Sequence, residues 1–330
     1  MRTSLRVILG IIAVVIVVYI LQKIDFPEVY QILKSLKPKF FLLAFFAYSL
    51  GIVIFSLRGM ISLRKIIFEH DFWFFLKTTL AGYFVNIITP GANVGGEPIR
   101  AYFFGEKYGK PKTQLFGAVL ADRIIHGAVS LFFVIASLLF ILTYIPVSRE
   151  LKIIFQTILF FLLAFLLIVF FLNRKKTKFS LEKFLEKIGI FKALKNSKKI
   201  RHIEEHFGNF TKSFKKTIID KKTLSLGILF SFAYWILSYL SSYFLFLSLE
   251  VKVSFFLVII VVSLGSLLGD FSPSPGGVGL IEGLMIFLYS ILGINLPTAI
   301  IVSVLSRLIV YFHSLVLGGI SLFYLEKSLG

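Results

Sequence analysis

Long apolar segments recur along the whole chain, and each ends at basic residues or at a short polar turn. They run over 5–21, 40–63, 115–144, 151–172, 224–249 and 298–325. A helix needs about 20 apolar residues to cross the hydrocarbon of a bilayer. Backbone polar groups inside that hydrocarbon must be satisfied within the protein, and continuous apolar runs favour helices over the alternating strands of a barrel. The pattern predicts an all-α polytopic membrane protein, folded as a single membrane domain over 1–330.

Two further apolar segments are interrupted near their middle. Pro90-Gly91 breaks the segment 72–104, and Pro275-Gly276-Gly277 breaks the segment 255–292. Basic residues flank both ends of the first segment, whereas the connection after the second has none. We therefore expect two broken or re-entrant helical hairpins, the first open to the cytoplasm and the second to the outside. Irregular backbone at membrane depth needs protein or a water-filled cavity around it, so the two turns are expected to enclose one cavity.

An internal repeat connects the two hairpins. Pro-Gly precedes a Glu by the same interval in both, and the two acids, Glu97 and Glu282, are 185 residues apart. The same offset brings Arg123 within one position of Arg307. Matched motifs in one order and nearly one spacing indicate a duplicated unit.

The charges of the loops give these units opposite orientations. Repeat 1 covers 40–144 and repeat 2 covers 224–326, so the chain is predicted to be an inverted repeat of transmembrane helices. Transporters of this architecture bind substrate near the midplane between the repeats, where broken helices present exposed N-termini to anions.

Composition supports the membrane assignment and explains the net charge. Hydrophobic residues make up 57% of the chain and the mean hydropathy is +0.90. The segment 173–222 holds 16 of the 36 Lys and Arg against five acids, so it carries 11 of the 19 net positive charges. Such a cluster between apolar segments indicates a cytoplasmic loop under the positive-inside rule and not a nucleic-acid binder. Both termini are then expected in the cytoplasm.

Part of this basic loop has the pattern of an amphipathic helix. Apolar residues recur at intervals of three and four between lysines, at Ile203, Phe207, Phe210, Phe214 and Ile218. That stripe is typical of a helix on the anionic inner surface of a membrane. A cytoplasmic enzyme is a possible partner of the segment 173–222.

The candidate binding chemistry is concentrated at the two turns and on the helices that follow them. Glycines let a head group approach the backbone, and a helix that restarts there offers free N–H groups to a phosphate. Arginines can hold the same anion with forked hydrogen bonds, and nearby carboxylates can orient them. The predicted substrate-binding residues are Asn86, Asn93, Gly95, Gly96, Glu97, Arg100, Asp122, Arg123, Asp270, Gly276, Gly277, Glu282 and Arg307.

Purely structural explanations remain open for these residues. Glu97 can pair with Arg100, and Asp122 with another arginine, simply to hold helices together. Arg58 and Lys77 lie nearer to predicted helix ends, where snorkelling to the interface is expected.

Two lone histidines have a structural explanation as well. His126 and His313 each stand alone on an apolar helix, and each is expected to be packed and hydrogen-bonded.

Catalytic signatures are missing from the sequence. It has no Gly-x4-Gly-Lys-Ser/Thr loop, no His-Glu-x2-His and no Gly-x-Ser-x-Gly. It also has no Cys, so thiolate metal sites are excluded. We expect no cofactor, no bound metal and no enzymatic activity.

The segments 86–100, Asp122-Arg123 and 274–282 together resemble the lysylphosphatidylglycerol synthase/flippase transmembrane-region family over nearly the whole chain. The resemblance implies a prokaryotic plasma-membrane protein of the flippase-like class. The best understood members move an aminoacylated phospholipid between leaflets, and others are linked to lipid-carried sugars. No soluble aminoacyl-transferase domain follows the last helix, so lipid synthesis is not expected.

Three functions follow from this sequence. The first is translocation of a phospholipid or a polyprenyl-phosphate-linked lipid, bound through its phosphate head group. The alternative is a non-transporting membrane subunit that presents a lipid substrate to a separate transferase. The third is a self-sufficient transferase that uses Asp122 and Glu97, against which the lack of a donor-binding domain argues.

Overall fold

The computed structural model describes Pro27, Gln31, 34–69, 71–89, 95–174, 198–270, 272 and 274–329. The first predicted crossing, Asn93 and residues 175–197 of the basic loop lie outside these ranges. All regular structure within them is helical. The helices are α1 (Pro38–Leu63), α2 (Phe72–Ile88), α3 (Gly96–Tyr108), α4 (Lys112–Tyr144), α5 (Arg149–Arg174), α6 (Lys198–Ile219), α7 (Lys221–Ser248), α8 (Phe255–Asp270), α9 (Leu280–Ile291), α10 (Leu296–Tyr311) and α11 (Gly318–Leu329), with a 3₁₀ turn at Pro275–Gly277 and a π-helical segment at Phe312–Leu317.

Four of the described helical units are long and apolar enough to cross a membrane. They are α1, α4, α7 and the continuous unit Leu296–Leu329, with 26, 33, 28 and 34 residues. Together with the all-helical structure of the described residues, they confirm the prediction of an all-α polytopic membrane protein.

The two interrupted segments form hairpins with short arms. α2 and α3 have 17 and 13 residues, and α8 and α9 have 16 and 12. At about 1.5 Å per residue, each arm is shorter than the roughly 30 Å of bilayer hydrocarbon. α2 packs against α3, and α8 packs against α9. The breaks therefore lie where the sequence predicts them, while the side of the membrane from which each hairpin enters stays a prediction.

Two apolar clusters place the hairpins at opposite ends of the helix bundle. The cluster around the first hairpin includes Leu63 at the end of α1 and Leu115 near the start of α4. The cluster around the second includes Ala44 near the start of α1 and Ile141 near the end of α4. Since both long helices contribute opposite ends to the two clusters, the hairpins approach each other along the bundle. An inverted repeat requires this arrangement, and the inversion itself stays a prediction.

Ion pairs connect helix ends at one end of the bundle. We call it the basic end, and it is the end at which Arg64 follows α1. Asp220 caps α7 by accepting the Thr223 N–H at 2.9 Å and pairs with Arg64. Hydrogen bonds from the Thr223 hydroxyl and the Arg64 guanidinium lower the pKa of the Asp220 carboxyl. Asp71, the N-cap of α2, pairs with Lys107 of α3 at 2.5 Å, and this hydrogen bond lowers the pKa of Asp71. Both carboxylates therefore stay ionised at neutral pH and fix the neighbouring helices.

The predicted amphipathic helix is present as α6, and it packs against α4. The Phe210 ring lies 5.9 Å from the Phe116 ring. A Cβ at Gly117 would collide with the Phe210 backbone, so this glycine permits the close approach of the two helices. The apolar stripe is thus at least partly an internal contact, and its position relative to a lipid surface stays a prediction.

Candidate functional site

The turn of the second hairpin touches the end of α2 in the first hairpin. A Cβ added at Gly276 would lie 3.0 Å from Ile87 Cγ1 and 3.3 Å from Ile87 Cα. Gly276 and Gly277 have φ angles of 59° and 71°, which residues with a side chain rarely adopt. The second turn therefore approaches the end of α2 through bare backbone. That the two turns enclose one cavity stays a prediction, since residues 90–94 of the first turn lie outside the described ranges.

A glycine substitution can test this contact. Gly276→Ala is expected to lower the thermal midpoint of unfolding more than Gly109→Ala. Both positions have a φ of 59°, but nothing lies within 4 Å of a Cβ at Gly109. Ala in the left-handed region costs about 1–2 kcal/mol at either site, and overpacking against Ile87 should add about 1 kcal/mol or more at Gly276 alone. Equal midpoints in detergent would show that the second turn is not packed against Ile87.

In the first hairpin, an ion pair joins α3 to the following long helix. Glu97, in the first turn of α3, accepts a hydrogen bond from Arg123 of α4. The Glu97 side chain is 6% exposed and that of Arg123 is 30% exposed, so the arginine is the accessible partner. The Asn86 side-chain oxygen accepts the Gly96 N–H at 2.7 Å, which braces the break between α2 and α3.

The second hairpin carries the corresponding pair. Arg307 Nε donates to Glu282 Oε1 at 2.8 Å, and Arg307 Nη2 donates to the Gly276 carbonyl at 2.7 Å. The other Glu282 oxygen accepts the Gly279 N–H at 2.7 Å. The Tyr311 hydroxyl donates to Glu282 Oε1 at 2.8 Å. One arginine of α10 thus fixes both the turn and the start of α9.

The two pairs are equivalent in the predicted repeat. In each hairpin, the glutamate at the start of the second arm pairs with an arginine of the next long helix, although the arginine offset differs by one from the 185 residues of the glutamates. A duplicated sequence motif thus makes the same contact twice. The structural alternative, Glu97 with Arg100, is not the pairing observed.

Arg58 forms a third buried pair, and the expectation that it snorkels is wrong. Its guanidinium makes forked hydrogen bonds to Asp122, with Nε–Oδ1 2.8 Å and Nη2–Oδ2 3.0 Å. The Ser62 hydroxyl donates to Asp122 at 2.8 Å, and Arg58 Nη1 donates to the Ser231 hydroxyl at 3.2 Å. Arg58 and Asp122 are both 0% exposed. The contact links α1, α4 and α7 and has the geometry of a structural lock.

Arg100 lies beside this lock without a close acidic partner. Its Nη1 is 3.9 Å from Asp122 Oδ2, and its guanidinium lies 5.4 Å from the Phe55 ring centroid. A Cβ at Gly59 would be 2.8 Å from Arg100 Nη2, and a Cβ at Gly82 would be 3.2 Å from Arg100 Cδ. The two glycines therefore form the slot that admits the arginine, which is 4% exposed.

Several buried polar atoms of this region have no hydrogen-bond partner in the part of the chain that the structure describes. They are Arg100 Nε, Arg100 Nη2, Glu97 Oε2 and His126 Nδ1. Buried donors and acceptors are almost always paired, and an unpaired one costs about 1–3 kcal/mol. His126 packs against Phe55 and stacks on Trp235. His313, by contrast, is hydrogen-bonded through both ring nitrogens, to Ser49 and Ile309, which confirms its predicted structural role.

The remaining predicted residues are distributed around the turns. Gly95 precedes α3, and Gly277 lies against Ile281 in the second turn. Asp270 is the last residue of α8. Lys77 is exposed. The sequence reasoning missed Tyr311, although residues four apart on a helix share a face and its spacing from Arg307 could have indicated the contact.

Fold and site define an all-α membrane protein in which two short helical hairpins meet inside a bundle of longer helices. The model of the family described as the lysylphosphatidylglycerol synthase TM region matches residues 6–318. The chain therefore belongs to this family, which is linked to lipid handling.

Full-length archaeal relatives are similar to the chain. A UPF0104 membrane protein of Methanothermobacter thermautotrophicus is 24% identical, over 99% of this chain and 96% of its own length. One from Pyrococcus horikoshii is 27% identical over 96% of each chain. Another, from Methanocaldococcus jannaschii, is 28% identical over 98% of this chain and 95% of its own length. These names add the membrane location and no activity.

Proposed function

We propose that this protein translocates a lipid with a phosphate-containing head group, a phospholipid or a polyprenyl-phosphate-linked lipid, across the membrane. The observation that supports this most strongly is the contact of the second turn with the end of α2, with a matched Glu–Arg pair in each hairpin. Membership of a lipid-handling family supports the class of substrate. We also propose that the protein lies in a prokaryotic plasma membrane and that both of its termini are in the cytoplasm.

Exchange of ionic partners is the proposed mechanism. An arginine without a counter-charge is costly at membrane depth, because desolvation penalises the unpaired ion. In this conformation, Glu97 and Glu282 compensate Arg123 and Arg307. A phosphate can replace each carboxylate in turn, so that no arginine loses its partner while the head group passes between the turns. The lipid tails remain in the bilayer.

Arg123 is the expected first contact of the phosphate, since its side chain is more exposed than that of Arg307, 30% against 11%. Displacement of Glu97 from Arg123 releases the start of α3 from α4. Displacement of Glu282 from Arg307 similarly frees the second turn. The two hairpins can then open in sequence toward opposite sides of the membrane.

Translocation assays in proteoliposomes test this function. Acyl-chain-labelled fluorescent lipids are placed in both leaflets, and a membrane-impermeant quencher reports the exchange between them. The wild-type protein should accelerate the exchange of at least one phosphate-bearing lipid, and Arg123→Gln should slow it at least about tenfold, since hydrogen bonds to charged groups contribute about 1.5–3 kcal/mol. Arg149→Gln, at the exposed first residue of α5, is the matched control.

Two results separate this function from the alternative. If wild-type vesicles exchange every tested phospholipid and polyprenyl-phosphate lipid at the rate of protein-free vesicles, translocation is wrong. A transferase that co-purifies with the inactive protein and is lost on deletion of 203–218 would instead support a subunit that presents lipid.

A further inference from the structure

The charges around the first hairpin do not balance. Within the part of the chain that the structure describes, this cluster contains three arginines and two carboxylates, which leaves one positive charge with His126 neutral. Arg58 and Asp122 are paired, as are Arg123 and Glu97, so the excess charge is that of Arg100. The cluster consists of Arg58, Arg100, Arg123, Glu97 and Asp122.

Arg100 also has unused hydrogen-bonding capacity. Its Nε and Nη2 have no partner among the described residues, and the side chain is 4% exposed. Its Nη1 is 3.9 Å from Asp122 Oδ2, but Arg58 already engages both oxygens of that carboxylate at 2.8 and 3.0 Å. An arginine fork that shares its acid in this way is suited to a bidentate oxyanion. A neutral ligand would leave the charge uncompensated, which is expensive in a buried site.

Glu97, one turn earlier on α3, has the complementary vacancy. Its Oε1 is engaged by Arg123, while Oε2 has no partner in the described structure. A carboxylate oxygen accepts hydrogen bonds and donates none. The ligand should therefore present an oxyanion to Arg100 and a hydrogen-bond donor to Glu97.

We infer that the slot between Gly59 and Gly82 binds an anionic phosphodiester whose head group carries a hydroxyl. A phosphodiester has one negative charge and balances the excess of one. A phosphomonoester carries about −1.5 to −2 at neutral pH, so it overcompensates. A zwitterionic head group supplies the donor as an ammonium but has no net charge, so it leaves the excess in place.

The site is closed in this conformation. The approach of Arg100 Nη2 to Gly59 of α1 leaves no room for a phosphate between them, since even a Cβ at Gly59 would lie 2.8 Å from that nitrogen. Binding therefore requires the first hairpin to move away from α1. This inference deepens the proposed function by assigning its substrate class, and it rests on that function only for the movement of the bound lipid.

Equilibrium binding to the purified protein in neutral detergent tests the assignment. The probes are labelled phosphatidylinositol, phosphatidylethanolamine and phosphatidic acid, with glycerophosphoinositol as the soluble form of the first head group. Phosphatidylinositol should bind at least about tenfold more tightly than phosphatidylethanolamine, because a charge-assisted contact is worth about 1.5 kcal/mol or more, and more tightly than phosphatidic acid. Arg100→Gln should abolish this preference, while Arg149→Gln keeps it. Weaker binding of glycerophosphoinositol would favour a membrane lipid as the source, and equally tight binding a soluble phosphodiester; either supports the phosphodiester site.

A stability measurement separates binding from structure. Without lipid, Arg100→Gln should melt no lower than the wild type, because the substitution removes the excess positive charge of the cluster. A clearly lower midpoint would assign Arg100 a structural role and overturn the inference, as would equal affinities of the wild type for all three lipids. If the preference is observed without translocation in vesicles, the site stands and the proposed function fails. If translocation is observed without the preference, the reverse holds.

Discussion

Asp122→Asn is expected to destabilise the protein by about 3–5 kcal/mol, the usual cost of removing one partner from a buried ion pair. Asp122 accepts both forks of Arg58 and the Ser62 hydroxyl, and the pair is fully enclosed by α1, α4 and α7. The amide of Asn has nearly the same shape but leaves the arginine charge uncompensated. The variant should accumulate poorly in membranes, and its thermal midpoint in detergent should fall well below that of the wild type.

A charge-free double variant is the control for this result. Arg58→Met with Asp122→Leu removes both charges together and should recover most of the lost stability, because apolar replacement of a buried pair is often neutral or stabilising. If Asp122→Asn melts like the wild type, Arg58 is not locked in the bundle as the structure shows. If the double variant melts as low as the single variant, the loss lies in packing and not in charge.

Arg307→Gln should reduce translocation at least about tenfold and destabilise the second hairpin, because breaking a buried pair typically costs about 3–5 kcal/mol. We expect the lower part of that range, since the Arg307 side chain is 11% exposed. Its guanidinium donates to Glu282, to the Gly276 carbonyl and to the Tyr311 hydroxyl. The substitution releases the second turn, which lies on Ile87. Both the proposed contact of Arg307 with the lipid phosphate and the geometry of this turn are then lost. Vesicle exchange rates and thermal midpoints measure the two effects separately.

Two variants identify which property of Arg307 matters. Arg307→Lys keeps the charge but lacks the planar fork, so it should retain more stability than Gln and still translocate poorly. Tyr311→Phe removes one hydroxyl beside Glu282 and should cost only about 1 kcal/mol. A wild-type exchange rate in Arg307→Gln vesicles would exclude this arginine from the path of the phosphate.

The sequence predicted the helical framework well, because apolar length and its interruptions are local properties. The segment 72–88 is α2 as predicted, and short helical arms lie on either side of both predicted breaks. The matched motifs also indicated which residues repeat, and their glutamates do make the same kind of contact. These features need only the residues within each segment.

The pairing of the charges could not be predicted, since it depends on how the long helices rotate and pack. α1 is apolar around most of its circumference, so no stripe in its sequence shows which face meets α4 and α7. Arg58 therefore looked like a snorkelling residue near a helix end, although its acidic partner is 64 positions away. The partner of Arg100 could not be predicted for the same reason: Glu97 was a plausible partner on the same helix, but it pairs with Arg123, and Arg100 has only a 3.9 Å contact with Asp122.

A reversible cross-link between the end of α2 and the second turn tests the central claim, that the head group passes between the two hairpins, most directly. The chain has no Cys, so Ile87→Cys with Gly276→Cys introduces a single pair, and the Gly276 Cβ position is 3.0 Å from Ile87 Cγ1. The account predicts that mild oxidation joins the pair within one chain, that lipid exchange in vesicles then stops, and that reduction restores the rate of the unoxidised double variant. Gly276→Cys alone controls for strain in the turn. Failure of the cross-link to form, or exchange by the oxidised protein at the rate of the reduced one, would contradict it.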